Sequence, residues 1–256
     1  MTIAKADFIA GMAKGMAVLE SFDTERQRLN ATLASQRAGI TRAAARRHLL
    51  TLAHLGYLET DGSYFWLSPK VLRFSGSYLA SARLPRAVQP VLNRLAAQTQ
   101  QSFSVVVLDG DEVVIVAQSG VHGAPTRMLA YGLHLGARLP AHATSTGRML
   151  LSALPPATFA AWCAGRTLPR LTPQTRTRMA DFRRKVARAR ADDFCFSAEE
   201  HELGVQALAV PLRNMQGHTV AALNVVVSPH RVDEDRMRRD LLPLLIEAAR
   251  EARGLL

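Results

Sequence analysis

The sequence predicts an α+β fold, in which a linker helix joins an N-terminal winged helix-turn-helix domain to a larger C-terminal domain. Three observations predict it. Two short helical patterns meet at a glycine-containing turn, a β-hairpin pattern follows them directly, and paired hairpins then alternate with helices. A chain of 256 residues is long enough for two domains of modest size. We expect residues 1–68 in the first domain, 69–84 in the linker helix and 85–256 in the second domain.

Three helical patterns open the chain. The apolar side chains of residues 14–22 fall on roughly one side of a helix, and Asn30 is a suitable N-cap for the pattern of residues 29–38. After a turn, Thr41 caps a third pattern over residues 42–55. The apolar residues of this third pattern form one stripe, so that its arginines point outward, as in a helix that enters a DNA groove.

A β-hairpin and a further helix follow. Gly56 ends the third helical pattern, and the β-rich residues 57–59 and 64–67 flank a turn at residues 61–63. A hairpin directly after an outward-facing helix of this kind is a wing. Residues 70–82 form an apolar helical pattern that ends before Pro85, and we interpret it as the linker helix and as a dimer contact.

Helices and strands alternate through the rest of the chain. We expect helices over residues 87–100, 144–154, 156–164, 173–192 and 233–255. We expect strands over residues 102–108, 112–118, 127–135, 206–212 and 219–227. Asp109-Gly110-Asp111 is a strong hairpin signal between the first two strands. Paired hairpins beside helices indicate a mainly antiparallel sheet.

The net charge of +11 points to an anionic partner. No acidic residue lies between Glu25 and Glu59, whereas six arginines do, and a guanidinium suits both phosphates and guanine edges. A solvated basic helix face is the alternative explanation, but the adjacent wing favours contact with double-stranded DNA. The candidate contact residues are Arg37, Thr41, Arg42, Ala43, Arg46 and Arg47.

A second basic run at residues 183–190 lies beside Asp181, Asp192 and Asp193 and is interpreted as a solvated helix face.

The sequence argues against several classes of protein. The longest apolar runs are too short to span a bilayer, and the first residues lack the apolar core of a secretory signal. We therefore expect a cytoplasmic protein that does not contact membranes. Cys163 and Cys195 match neither a disulfide framework nor the spacing of a zinc site, so we expect no metal and no cofactor.

An α+β enzyme that acts on a small acid is the alternative function. The adjacent carboxylates Glu199 and Glu200 could support acid–base chemistry, although a solvated loop is the commoner explanation for such a pair. The sequence contains no G-x-S-x-G, Walker, G-x-G-x-x-G or H-E-x-x-H motif. We therefore favour a DNA-binding protein over an enzyme.

Five segments carry a family resemblance, at residues 8–22, 39–58, 139–155, 199–214 and 220–232. In this order they resemble the IclR-type regulators, and most of all the branch that controls aromatic-acid and β-ketoadipate catabolism. The resemblance implies a GAF-like effector-binding domain, a homodimer or dimer of dimers, and transcription control at the promoter of a catabolic operon. It leans towards activation rather than repression.

The resemblance also implies that the effector is a small carboxylic acid: a hydroxybenzoate, protocatechuate, a phthalate-like diacid or β-ketoadipate. A repressor that responds to a non-aromatic acid is the alternative. The segment 140–147 opens a predicted helix, whose amides and hydroxyls form an anion site. The effector contacts that the resemblance implies are Met128, Tyr131, Ser145, Thr146, Ser197, Val205, Ala207, Asn224 and Val226, and His142 in the segment 140–147 is a further candidate. Structural packing is the alternative role for His142, and simple helix capping is the alternative for Ser145. Many relatives carry Asp at the position of Ser197 and Cys at that of Ala207, which affects the choice of ligand.

Overall fold

A computed structural model describes residues 3–23, 26–119, 134–229 and 232–256. The chain divides into two compact units, Met1–Tyr78 and Leu79–Leu256. The division falls inside the segment that the sequence predicts as a linker helix. None of the helices in the described ranges is long and apolar enough to cross a bilayer.

The first unit consists of three helices and a two-stranded hairpin. The helices are α1 (Ala10–Leu19), α2 (Ala31–Ala38) and α3 (Arg42–His54). The strands β1 (Leu58–Thr60) and β2 (Phe65–Leu67) pair in antiparallel fashion. The arrangement is a helix-turn-helix with a wing, as the sequence predicts, although α1 begins and ends a few residues earlier than expected.

Local capping interactions fix the turn between α2 and α3. The side chain of Asn30 accepts hydrogen bonds from the backbone amides at the start of α2. Gly39 ends α2 with a φ of 63°, a left-handed conformation that favours glycine. Thr41 then accepts a 3.3 Å hydrogen bond from the amide of Ala44 at the start of α3. Because Ala45 of the following turn is buried in the core of the unit, α3 is held by both capping and packing.

The segment after the wing differs from the prediction at one point. A 3-10 turn at Pro69–Val71 leads into α4 (Leu72–Ser81), and α5 (Arg83–Thr99) begins almost at once. Pro85 therefore does not close off a linker before a new helix, as the sequence pattern suggests, but lies in the first turn of α5. Proline is tolerated there because the first backbone amides of a helix have no intrahelical acceptor.

The second unit is built on a six-stranded antiparallel sheet within the described residues. Its strands are β3 (Ser102–Asp109), β4 (Glu112–Gln118), β5 (Arg138–Pro140), β6 (Cys195–Ala198), β7 (Gln206–Arg213) and β8 (Thr219–Val227). Their order is β5-β4-β3-β8-β7-β6. The sequence did not predict β5 and β6, because strands of three and four residues show too little alternation. Most of the strand predicted at residues 127–135 lies outside the described residues.

Helices cover both faces of this sheet. The helices α6 (Ser145–Ser152), α7 (Pro156–Cys163) and α8 (Met179–Asp192) pack on one face. On the other face, α5 packs beside the C-terminal helical segment, which comprises α9 (Glu234–Arg236), a π-helical turn at Met237–Leu241 and α10 (Leu242–Arg253). Side chains along β8 alternate between the two faces of the sheet, so that the strand contributes to the hydrophobic core on each face. Leu223 and Val225 pack on the side of α5, and Ala222 packs on the side of α6.

Gly147 allows the closest backbone contact of the second core. It lies in the first turn of α6, which packs on the 3-10 turn Ala141–Ala143. A Cβ atom at position 147 would lie 2.2 Å from the carbonyl oxygen of Ala141 and 2.3 Å from its Cα. Since both are backbone atoms, no side chain can relieve the overlap, and the helix reaches the turn only with glycine at this position.

We expect Gly147→Ala to destabilise the second unit by about 1–3 kcal/mol or more, the usual range for an overpacked core. The matched control is Gly76→Ala in α4, where nothing lies within 4 Å of the added methyl group. That change should be neutral or stabilise α4 by about 0.5–1 kcal/mol. Thermal unfolding of both variants measures the difference. If Gly147→Ala unfolded at the wild-type temperature, the result would contradict the close contact between α6 and the backbone of Ala141.

Candidate nucleic-acid interface and ligand cavity

Four of the predicted contact residues lie together on the exposed side of α3: Arg42, Ala43, Arg46 and Arg47. Positions 42 and 46, and likewise 43 and 47, are one helical turn apart and therefore neighbours on the surface. The opposite side of the helix is buried in the core of the unit. Ala43 adds little bulk to this surface, so that a DNA backbone can approach the start of the helix closely.

The three arginines of this surface have no carboxylate partner in the described part of the chain. None of the ion pairs found there includes Arg42, Arg46 or Arg47. A guanidinium without a carboxylate partner loses no salt bridge when it binds phosphate or a guanine edge. The α3 surface is therefore suited to a polyanion.

Arg37 and Thr41 occupy different positions from the α3 arginines. Arg37, in the last turn of α2, forms an ion pair with Asp23, so its guanidinium already has an anionic partner. The hydroxyl oxygen of Thr41 accepts the capping hydrogen bond of α3. Contact of these two residues with DNA remains a prediction.

Arg28, which precedes α2 in the chain, contacts the wing and was left unassigned by the sequence interpretation. Its guanidinium lies 2.5 Å from a carboxylate oxygen of Asp61 and 4.5 Å from the ring centroid of Trp66. The backbone amides of Tyr64 and Ser63, followed by the charge of Arg28, hold the pKa of Asp61 below its ordinary value. These contacts fix the hairpin turn, and they give Arg28 a structural role in the wing.

A cavity lies in the second unit between the sheet, the first turn of α6 and the loop after β6. Its described lining comprises Ser104, Val106, Ile115, Leu139, Ala143, Thr144, Ser145, Thr146, Ser197, Glu200, His201, Glu202, Val205, Ala207, Asn224 and Val226. Seven of the predicted effector contacts are among them: Ser145, Thr146, Ser197, Val205, Ala207, Asn224 and Val226. The structure thus brings together residues that are far apart in the sequence.

Unpartnered hydrogen-bond donors mark one side of this cavity. The hydroxyl oxygen of Ser145 is buried and has no hydrogen-bond partner among the described residues. The hydroxyl of Ser104 donates a 2.6 Å hydrogen bond to the side-chain oxygen of Asn224, which leaves the amide hydrogens of Asn224 available. Because buried polar groups are nearly always hydrogen-bonded, an unpaired hydroxyl in a cavity wall indicates a missing polar partner.

The ionisable groups of the lining carry little positive charge. Burial, and then the neighbouring His142, lower the pKa of His201, so that its imidazole is neutral at pH 7. Burial raises the pKa of Glu202. No lysine or arginine occurs among the described residues of the lining. The groups that this lining offers to an anion are therefore hydroxyls, amides and the N-terminus of α6 rather than a cation.

Three predicted effector contacts are not found in the described lining. Met128 and Tyr131 lie outside the described residues. His142 is buried behind the cavity wall, where its Nε2 lies 3.0 Å from the carbonyl oxygen of Pro169. Burial is the main cause that lowers the pKa of His142. This position favours the alternative prediction for His142, structural packing.

The sequence interpretation missed several residues of the lining, most clearly Ser104 and His201. Ser104 pairs with Asn224 across β3 and β8, which are separated by more than one hundred residues. That pairing could not be inferred from a local pattern. For His201 a signal was available, since it follows the Glu199-Glu200 pair in a segment that carries the family resemblance.

A second, larger depression of about 810 Å³ lies along α8 and β6. Most of its lining is charged, and it includes Arg176, Lys185 and Glu234. Such a surface is suited to water and ions rather than to an apolar ring. The cavity beside Ser145 is the better candidate for an aromatic ligand.

Comparison with known proteins gives the same division of the chain. Residues 11–62 match the family described as the IclR helix-turn-helix domain. Residues 76–253 match the family described as the C-terminal domain of the bacterial transcriptional regulator IclR. Both matches are to families of transcription regulators rather than of enzymes.

Similar individual proteins come from Acinetobacter. The Pca operon regulatory protein of Acinetobacter baylyi is 52% identical over 250 residues, which cover 98% of this chain and 90% of that protein. The p-hydroxybenzoate hydroxylase transcriptional activator of the same organism is 52% identical over 97% of this chain and 92% of its own length. A crystal structure of a double mutant of the PobR inducer-binding domain in complex with 3-hydroxybenzoic acid has a TM-score of 0.64. It is 48% identical and covers 68% of this chain and 99% of its own.

Proposed function

The chain belongs to the IclR family of bacterial transcriptional regulators, and on that premise we propose that it binds operator DNA and responds to a hydroxybenzoate-type acid. The observation that carries the proposal is the unpartnered, buried hydroxyl of Ser145 in a cavity with apolar walls. A regulator of this kind acts in the bacterial cytoplasm and controls an operon for aromatic catabolism. The names of the Acinetobacter relatives support this assignment.

The carboxylate of the effector is held by neutral donors. We propose that Ser145 donates its hydroxyl hydrogen and Asn224 an amide hydrogen to the carboxylate oxygens, beside the N-terminus of α6. A hydrogen bond to a charged group contributes about 1.5–3 kcal/mol. Apolar side chains of the sheet, such as Val106 and Ile115, contact the aromatic ring. The neutral imidazole of His201 can either donate to or accept from a phenolic hydroxyl.

The charges of the cavity lining predict which of the candidate acids binds more tightly. A phthalate-like diacid brings two negative charges into a cavity whose described lining contains no lysine or arginine. A hydroxybenzoate or protocatechuate brings one. Because an uncompensated charge is costly to bury, we propose that monocarboxylates bind more tightly than diacids.

The cavity must widen when an aromatic acid binds. Its volume is about 60 Å³, much less than a ring and a carboxylate require. The small side chains of Ala207 and Val226 limit how far the walls must move. Effector binding therefore favours a second arrangement of the domain, and such a change can bias the DNA-binding units. We propose that the bias activates transcription.

We also propose that the DNA-binding units act in pairs, in a homodimer or a dimer of dimers. The helix α4 has large apolar residues at its surface, with Leu72 64% and Phe74 58% exposed. Phe74 stacks on Tyr57 of the same unit, which fixes this part of α4 against the wing. Exposed apolar residues on one helix are typical of an interface, and paired recognition helices match repeated half-sites in DNA.

We expect the double variant Arg46→Ala/Arg47→Ala to bind the promoter DNA of its neighbouring catabolic operon at least about 30-fold more weakly, since each arginine contact contributes roughly 1–3 kcal/mol. Fluorescence anisotropy at several salt concentrations measures this loss and the salt dependence together. Effector affinity should not change, because the cavity belongs to the other unit.

The matched control for this variant is Arg183→Ala/Arg184→Ala on α8, which removes the same charge from an exposed helix of the second unit. It should bind DNA nearly as wild type does. Unchanged DNA affinity of the α3 variant, or an equal loss in the α8 variant, would disprove the assignment of the α3 surface. A footprint limited to one half-site would disprove the pairing of the units.

We expect Ser145→Val to lower the affinity for 4-hydroxybenzoate or protocatechuate, whichever binds wild type more tightly, by about tenfold to a hundredfold. The change removes a donor and fills part of the cavity. Ser145→Ala removes the donor alone and should have a smaller effect. Isothermal titration calorimetry measures each dissociation constant.

The control for Ser145 is Ser152→Ala on the same helix, where the hydroxyl donates to the carbonyl oxygen of Met149 away from the cavity. Its effector affinity should equal that of wild type. If Ser145→Val bound the acids as tightly as wild type, the effector site would have to be elsewhere.

A further inference from the structure

Arg148 is the largest of the fully buried side chains in the described ranges, with 0% of its surface exposed. It lies on α6, one turn after Ser145. Its two terminal nitrogens donate to the two carboxylate oxygens of Glu200 at 2.8 and 2.6 Å, and its Nε donates to the carbonyl oxygen of His142 at 3.0 Å. Glu200 is also buried, with 4% exposed. The pair is therefore a bidentate ion pair that is shielded from water.

This ion pair joins two segments that form walls of the cavity. One wall is the first turn of α6, where Ser145 and Thr146 line the cavity. The other is the loop after β6, where His201 and Glu202 follow Glu200 directly and also line it. Because both oxygens of Glu200 are bonded to Arg148, the carboxylate has its strongest contacts with the protein rather than with the cavity.

The loop that carries Glu200 is also held from its other side. The hydroxyls of Thr172 and Thr175 donate 2.7 Å hydrogen bonds to the carbonyl oxygens of Glu199 and Glu200. The carboxylate of Glu199 accepts from the amide of Gly204 at 2.8 Å, which closes the loop. Glu199 has a φ of 54°, a strained conformation for a residue other than glycine. Such a conformation persists only where the surroundings hold it, and the Arg148–Glu200 pair is one of these constraints.

We propose that the Arg148–Glu200 pair is a positioning pair, which sets the spacing of the two cavity walls and thereby the affinity for the effector. This rests on the proposed function, because it concerns the same cavity. A bidentate pair fixes the angle as well as the distance between its partners. Two apolar side chains of similar volume can fill the same space without fixing either, so stability and effector affinity separate when they replace the pair.

The pair also affects the charge that the cavity presents to the effector. The guanidinium of Arg148 compensates the charge of Glu200, which would otherwise face the carboxylate of the effector. Removal of Arg148 alone leaves an uncompensated anion beside the cavity, and removal of Glu200 alone leaves a buried cation. Either single change alters charge and fold together, so the two residues must be replaced jointly.

The test is the double variant Arg148→Met/Glu200→Leu in the full chain. We expect its unfolding temperature to lie within a few degrees of wild type and its dissociation constant for 4-hydroxybenzoate to rise by about tenfold or more. DNA binding without effector should stay at the wild-type level. The matched control is Arg94→Met/Glu251→Leu, which replaces an exposed ion pair between α5 and α10 and should leave effector affinity unchanged.

The proposal would be overturned if the folded Arg148→Met/Glu200→Leu variant bound the effector as tightly as wild type. The pair would then have only a structural role. If that variant does not fold, Glu200→Asp replaces it: the shorter carboxylate keeps the charge but displaces the wall, and an unchanged dissociation constant would again overturn the proposal. Wild type and Ser145→Val are measured in parallel. If wild type bound no hydroxybenzoate, the proposed function would fail as well, whereas an effect of Ser145→Val alone would leave the proposed function intact.

Discussion

A guanidinium that is removed from water must have its charge compensated. In the second unit, the arrangement of the segments that surround the cavity depends on how the charge of Arg148 is compensated. Its partners are the carboxylate of Glu200 and the carbonyl of His142, so that α6, the turn at Ala141–Ala143 and the loop after β6 converge on one side chain. The absence of a side chain at Gly147 lets α6 approach this turn. The cavity is the space that remains between elements which these contacts hold in place.

The two anionic partners that we propose are recognised by opposite means. DNA is a polyanion, and the α3 surface offers it arginines that no described carboxylate neutralises. The cavity instead offers a small acid uncharged donors, and the nearby guanidinium of Arg148 is bound to Glu200. Recognition by charge alone distinguishes poorly between acids, whereas recognition by placed hydroxyls and amides depends on shape and on hydrogen-bond geometry. This difference suits a transcription regulator that binds DNA and, as we propose, selects among small acids.

Features that depend on neighbouring residues could be predicted from the sequence, and features that depend on distant pairing could not. The caps at Asn30 and Thr41 are local, and the helix-turn-helix was predicted nearly residue by residue. The hydrogen bond between Ser104 and Asn224 and the ion pair of Arg148 join segments far apart in the chain. Seven of the sixteen described lining residues of the cavity were expected, and chiefly because the sequence resembles a family. For His142, the structure favours the packing role over contact with an effector.

A crystal structure of the full chain with 4-hydroxybenzoate tests the central claim most directly. We expect the carboxylate within hydrogen-bond distance of the hydroxyl of Ser145 and the amide nitrogen of Asn224, with the ring against the apolar sheet residues and the ion pair of Arg148 intact. The acid bound instead in the charged depression beside Arg176 and Lys185, or in the cavity with its carboxylate turned away from Ser145, would contradict it.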